Sequence, residues 1–484
     1  MTPVPYWPYQ IVKTRTAGGD TGEENVRDHR HFDCAPQPGR IPLRHLAGAT
    51  ALIAAMRWRH ILHALPVLFA ALVPQAATQA GITSPGPISQ PACQGVEGYS
   101  ASFGGRRTFY LPPDILARLK AGLTSDPAIR TAYERLIARA DAALKRGPYT
   151  VTDKTTVPPS GDKHDYLSVG PYWWPDPAKP DGLPYVRRDG EINPDRSTDK
   201  YDLTDLEAMS SDIELLGLAY YYSDDPKYPA HAARLLKTWF LDPATRMNPN
   251  MDFGQAVPGR EKGRAEGVID TTRLQRVIDA IGLIGPAKAL SAADQSGLEK
   301  WFGDYVEWMR TSANGKAEDA ARNNHALWFD AQATQFALFA RRPDIARQVV
   351  DAFPARRIAP QFTADGSLPQ ELIRTRTLHY SIYAMLAAYD VAEMGSCIGV
   401  DLWNHQGDQG RGLKRATDFL APYSGRLDTW PHQELRPDQG ELDELLRRAA
   451  RAWPGGGYPA ASAAELRRFF GAGPAAGEGA QKPN

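Results

Sequence analysis

Two short clusters hold the side chains of this 484-residue chain that are best suited to chemistry. The first spans residues 319–330, DAARNNHALWFD, with Asn324 beside His325 at the expected start of a helix. Asn323 suits the N-cap, which puts its two neighbours in the first turn. There the partial positive charge of the helix end favours anions and lowers a histidine's pKa. A neutral imidazole at that place can accept a proton. Trp328, Phe329 and Gln332 continue the His325 stripe, so a core histidine with a satisfied ring fits the pattern as well. The second cluster is residues 371–383, ELIRTRTLHYSIY. Arg374 precedes a helix starting near Thr377, and Tyr380, Tyr383, Ala384, Ala387 and Ala388 form one inward stripe. A tyrosine so placed is ordinarily a core ring, and Arg374 and Arg376 are ordinarily solvated or paired with Glu371.

Taken together, Asn324, His325, Arg374 and Tyr380 suit the β-elimination of a polyuronide. In that reaction the C5 proton leaves and the bond to the C4 oxygen breaks. The proton becomes acidic once the neighbouring carboxylate is neutralised, which an arginine and an amide can do. A histidine or an ionised tyrosine takes the proton, and a tyrosine hydroxyl protonates the leaving oxygen. No metal or other cofactor is required.

A third stretch could bind the polymer. Residues 162–177, DKHDYLSVGPYWWPDP, are broken by Pro171, Pro175 and Pro177 and cannot form a regular helix. Lys163, His164, Tyr166, Tyr172, Trp173 and Trp174 offer flat rings for the apolar face of a sugar and polar tips for its hydroxyls. Either tryptophan alone could equally plug a core.

These stretches, with WFLDPATRMNPNMDFGQAVPG, resemble the signature blocks of the alginate lyase family with an α/α-toroid fold, polysaccharide lyase family five and its relatives. The likeness runs from about Lys163 to about Tyr383 and on to the WPHQ at Trp430. It implies an all-α, incomplete (α/α) toroid with long rim loops and an anionic polysaccharide, alginate or polymannuronate, as partner. By similarity Asn324 and Arg374 would neutralise the carboxylate. His325 would be the base for one C5 epimer, and Tyr380 the acid, or both acid and base for the other. Lys163 would sit in a lid-like loop, with Gln255, Glu371 and Arg376 joining the substrate-binding set. The best-known members have one more residue between arginine and tyrosine, which leaves the choice between Arg374 and Arg376 open.

The helices that must position these groups are legible. Helix starts fall at Pro113 and Pro127, and apolar stripes run on from Leu203. Further helices are expected over residues 274–284, 292–309, 324–340, 345–353, 377–393, 413–420, 442–453 and 463–470, with no convincing strand. Two long connections, residues 147–204 and 242–269, are the expected seat of the site. Lys and Arg total 56 against 56 Asp and Glu, so no net field points to nucleic acid. A polyanion would need local positive charge.

Residues 1–55 lack periodicity and read as an upstream extension. Residues 56–80, opening MRWRHILHALPVLFAALV, have the basic, apolar and small-residue order of a signal peptide. The expectation is a periplasmic or secreted protein without a membrane anchor after cleavage, compatible with a monomer. An N-terminal arm (81–110), a lyase-like body (111–471) and a disordered tail (472–484) would follow. Cys93 and Cys397 suit one disulfide in an exported chain, and no cysteine spacing suggests a metal site. Two competing functions remain. One is an inverting glycoside hydrolase, needing two carboxyls roughly 6.5–9.5 Å apart, with Asp165, Asp176, Asp270 and Glu371 as candidates. The other is a non-catalytic polysaccharide-binding component of an export apparatus.

Overall fold

The computed structural model describes residues 93–471. The expected extension, signal peptide, start of the arm and C-terminal tail lie outside the described residues. Helices begin where proline and short polar side chains can start them. Pro113 opens α1 (Pro113–Gly122), and Asp126 accepts from the amides of Ala128 and Ile129 to cap α2 (Pro127–Ala143). Next come α3 (Leu203–Ser223), α4 (Lys227–Leu236), α5 (Leu274–Leu283) and α6 (Ala292–Thr311), the last started by a capping box between Ser291 and Asp294. Then follow α7 (Ala313–Asp319), α8 (Asn324–Phe339), α9 (Pro343–Phe353) and the single turns α10 (Ala359–Gln361) and α11 (Pro369–Leu372). The chain closes with α12 (Thr377–Cys397), α13 (Leu413–Leu420), α14 (Gln439–Ala452) and α15 (Ser462–Phe469).

Three of these, α3, α8 and α12, are buried on nearly every side. A helix apolar all round must lie inside, and each is flanked by more amphipathic partners: α3 by α2 and α4, α8 by α6 and α9, α12 by α13 and α14. The inner helices also meet one another directly, α3 against α5 and α8 against α12. This double layer of helices is the α/α toroid. Its core falls into two apolar clusters, one around α3, α5 and α6 and one around α12 and α14.

The rim departs from the sequence expectation, because four short strands do form. β1 (Leu167–Val169) pairs in parallel with β4 (Phe253–Ala256), and β2 (Trp173–Trp174) pairs antiparallel with β3 (Val186–Arg187). Runs of two to four residues show no period-two alternation, and all three residues of β1 are buried, so no pattern could announce them. The β1–β4 pair joins the two long connections, and one carboxylate holds the joint. Asp270 accepts from Tyr166 Oη (3.1 Å), Ser168 Oγ (2.7 Å) and Gln255 Nε2 (2.9 Å), with Arg196 at 4.0 Å. Residues 162–165 add a second tie: Asp165 accepts from the amides of Asn248 (2.9 Å) and Asn250 (3.0 Å).

Cys93 and Cys397 are joined as a disulfide across a sequence separation of 304. The bond pins the segment before α1 to the last residue of α12. Replacing both cysteines with serine is expected to cost about 2–5 kcal/mol of stability. Urea unfolding of the variant against the parent, both unreduced, checks this. Equal midpoints would show that the bond contributes nothing.

Candidate active site

Tyr380 lies in the first turn of α12 with its hydroxyl 2.6 Å from that of Tyr172, which reaches over from the residue before β2. The Arg374 guanidinium lies against the Tyr380 ring, 3.8 Å from its centroid. Arg374 precedes the helix and is half-buried, and its loose anionic partner is Asp189 of the β3 turn at 3.5 Å. Burial works against the guanidinium's charge, but Tyr380, Asp189, Tyr172 and Glu371 around it more than compensate and push its pKa up. The β2–β3 hairpin thus stands over Arg374 and Tyr380. Backbone bonds close the hairpin on itself, from Arg188 N–H to the Tyr172 carbonyl (2.8 Å) and from Asn193 N–H to the Pro171 carbonyl (2.8 Å).

Asn324 and His325 open α8, capped by Asn323, whose side chain accepts from the His325 amide. Glu371 of α11 receives both the Asn324 backbone amide (2.6 Å) and its side-chain Nδ2 (2.8 Å). Burial pushes the Glu371 carboxyl up, opposed by these two bonds and by the positive charge of Arg374 and His325. His325, Glu371, Arg374, Tyr380 and Tyr172 therefore form one electrostatic neighbourhood built from three separate parts of the chain.

The expectation that the helix end lowers the pKa of His325 is corrected by a neighbour. His325 Nδ1 lies 2.6 Å from the buried carboxylate of Glu318, near the end of α7. Burial lowers the pKa of His325, but Glu318, Glu266 and Glu371 outweigh it, and the ring titrates above its ordinary value. The helix end contributes only a fraction of a charge. A full carboxylate at hydrogen-bond distance outweighs it. Glu318 also fixes the tautomer, leaving Nε2 as the nitrogen available to another group.

Several residues read as substrate contacts are otherwise engaged. Tyr166 is fully buried in the core, with its hydroxyl on Asp270. Gln255 is buried too: its amide bridges Asp270 and Arg264 Nη2 (3.0 Å), and its own φ is 45°, a costly backbone for a non-glycine residue. Arg376 faces Glu434 at 3.8 Å, which leaves Arg374 as the arginine at Tyr380. Glu371 serves Asn324 rather than a ligand. His164 is half-buried, its Nδ1 within 2.6 Å of the Arg246 carbonyl, and the exposed Lys163 donates to the Thr152 carbonyl at 3.2 Å.

Trp173 and Trp174 are half-buried, and cations cover them. Arg260 and Arg264 lie 5.6 and 5.8 Å from the Trp173 ring, and Arg188 lies 5.0 Å from that of Trp174. The fit at Trp173 is close enough that a side chain at Gly170 would meet the ring at 2.6 Å. Two of these arginines are themselves paired with acids, Arg264 with Glu266 at 3.0 Å and Arg188 with Glu191 at 3.8 Å. Of the acids named for a hydrolase, Asp165, Asp270 and Glu371 are each spent on structural bonds. Glu318 and Asp189 were not singled out from sequence. Glu318 stands one residue before the stretch that drew attention, and nothing local ties Asp189 to Arg374.

The family model described as alginate lyase matches residues 150–430. A solved alginate lyase from Bacteroides ovatus is 41% identical with a TM-score of 0.70, the match covering 75% of this chain and 96% of that one. Alginate lyase A1-III from Sphingomonas species A1 is 19% identical over 71% of this chain and 89% of its own, at a TM-score of 0.46 that adds no weight. Comparison with curated proteins gives no match. On the extent of the family match and the 41% identity, the chain belongs to the alginate lyase family and is a polysaccharide lyase.

Proposed function

We propose that the chain cleaves alginate by β-elimination and leaves a 4,5-unsaturated uronate at the new non-reducing end. The observation that carries this reading is the grouping of Tyr380, Tyr172 and Arg374 beside the Asn324–Glu371 and His325–Glu318 pairs. Arg374, only loosely paired with Asp189, turns to the substrate carboxylate. Asn324 keeps one amide hydrogen on Glu371 and offers the other. With the carboxylate neutralised, the C5 proton passes to the base and its electron pair forms the C4–C5 double bond. The C4–oxygen bond breaks, and the leaving oxygen takes the proton of Tyr380. Tyr172, 2.6 Å away, is placed to return a proton to Tyr380.

In mannuronate the C5 proton and the C4 oxygen leave from one face, so Tyr380, starting as a phenolate beside Arg374, can take the C5 proton and pass that same proton to the leaving oxygen. In guluronate they leave from opposite faces, and His325 Nε2 takes the proton. We place the reaction in the periplasm or outside the cell, since the Cys93–Cys397 bond needs an oxidising compartment. Polymannuronate, polyguluronate and polyglucuronate, each followed by the ultraviolet absorbance of new double bonds, test the reading. Polymannuronate is expected to respond most strongly, and no absorbance on any of the three would end the proposal.

Tyr380→Phe is expected to lower turnover ~10²–10⁴-fold on every substrate, the usual size for a general acid–base group. His325→Ala should cost as much on polyguluronate and less on polymannuronate, with binding largely kept. Full turnover by a folded Tyr380→Phe protein would remove Tyr380 from the mechanism.

The pH dependence follows from Glu318. A base must be deprotonated, and His325 titrates above its usual value. Turnover of polyguluronate should therefore rise with pH through a limb above about 6.5. Glu318→Gln removes the main charge that raises the pKa and leaves burial to lower it, so the limb should move to lower pH. A profile that does not move between parent and variant would exclude His325 as the titrating base.

A further inference from the structure

Tyr380 is only as well placed as the first turn of α12, and that turn carries no cap of its own. Arg376, the residue before the helix, makes no side-chain capping bond. The first amides of a helix need acceptors from elsewhere, and here they come from residues 430–434, more than fifty positions further along the chain. The Thr377 amide and hydroxyl both donate to the Gln433 carbonyl (3.1 and 2.7 Å). The His379 amide donates to Glu434 Oε2 at 3.0 Å. Trp430 Nε1 donates to Thr377 Oγ1 at 2.7 Å, and Arg376 and Glu434 form an isolated antiparallel bridge. Residues 433 and 434 lie beyond residue 430, where the family match ends.

We infer that Glu434 is a positioning residue for Tyr380. Its side chain is almost fully buried. One oxygen holds the amide adjacent to Tyr380, while the other accepts from the Arg436 amide at 2.9 Å and faces Arg376. A carboxylate there also meets the positive end of the α12 dipole. The His379 ring is in turn fixed by Glu441 of α14 at 2.8 Å and lies edge-on to Tyr380, with ring centroids 5.1 Å apart. The segment that leads into α14 thus sets the height and tilt of the turn carrying the phenol that meets Tyr172. The inference rests on the reading of Tyr380 as the acid of the elimination.

The test is a cycle of variants with kcat and KM read separately on polymannuronate. Glu434→Ala is expected to lower kcat about 10–100-fold, the scale of a small misplacement of a reacting group, with KM little changed. Glu434→Gln keeps an acceptor for the His379 amide and should recover most of that turnover. In a Tyr380→Phe background, Glu434→Ala should cost nothing further, because it acts through the missing hydroxyl. Unchanged kcat in folded Glu434→Ala, or losses that multiply in the double variant, would overturn the inference. So would a folded Glu434→Gln protein whose kcat falls about 10–100-fold below the parent, and this arm, read against the parent, remains readable if Glu434→Ala does not fold. Turnover that survives Tyr380→Phe alone would bring down the assignment of Tyr380 itself, a separate result read in the same series.

Discussion

One buried carboxylate, Asp270, decides where the rim of this toroid closes. The two long connections bury Tyr166, Leu167, Val169, Met251 and Val257, but their strands are too short to pair unaided. Asp270 supplies acceptors for both at once, taking Tyr166 and Ser168 from one connection and Gln255 from the other. A charge buried like this is costly unless its oxygens are satisfied, and these donors satisfy them. The register that results puts Pro171 and Tyr172 just beyond the end of β1. That is how a hydroxyl on a proline-broken loop comes to lie 2.6 Å from one on α12.

The site built on that joint contains more acid than the charge of a polyanion would favour. Glu318 faces His325, Glu371 faces Asn324 and Asp189 faces Arg374. Their presence follows from burial. A guanidinium or imidazolium withdrawn from water loses hydration and needs nearby negative charge to persist. The partners differ in tightness, and the difference has chemical meaning. Glu318 and Glu371 sit at hydrogen-bond distance and fix orientation, whereas Asp189 lies 3.5 Å from Arg374 and holds it loosely. Arg188, Arg260 and Arg264 lie instead over the rings of Trp173 and Trp174.

The helices were legible in the sequence because helical periodicity is a local signal. Asn323 announced the start of α8, and the stripe from Tyr380 announced α12. The aromatic loop was legible only as composition. Nothing in DKHDYLSVGPYWW says that Tyr166 points into the core while Tyr172, six residues on, points to the site. That choice is made by Asp270, a hundred residues away. The direction in which the pKa of His325 moves was misread for the same reason, since the helix end is visible locally and the carboxylate of Glu318 acts through a fold that sequence periodicity does not describe.

The spacing between arginine and tyrosine illustrates how a local difference can be absorbed. A residue gained or lost inside α12 would rotate every later side chain by about 100° and carry Tyr380 off its face. Arg374 lies outside the helix, in the irregular backbone between α11 and Thr377. There a change of one residue alters only the path of a turn, and a long flexible side chain can still reach the ring. What fixes the helix start is the bridge between Arg376 and Glu434, not the count back to Arg374. Arg376 is therefore the arginine whose place is set by the bridge to Glu434, and Arg374 is the one whose guanidinium lies against the Tyr380 ring.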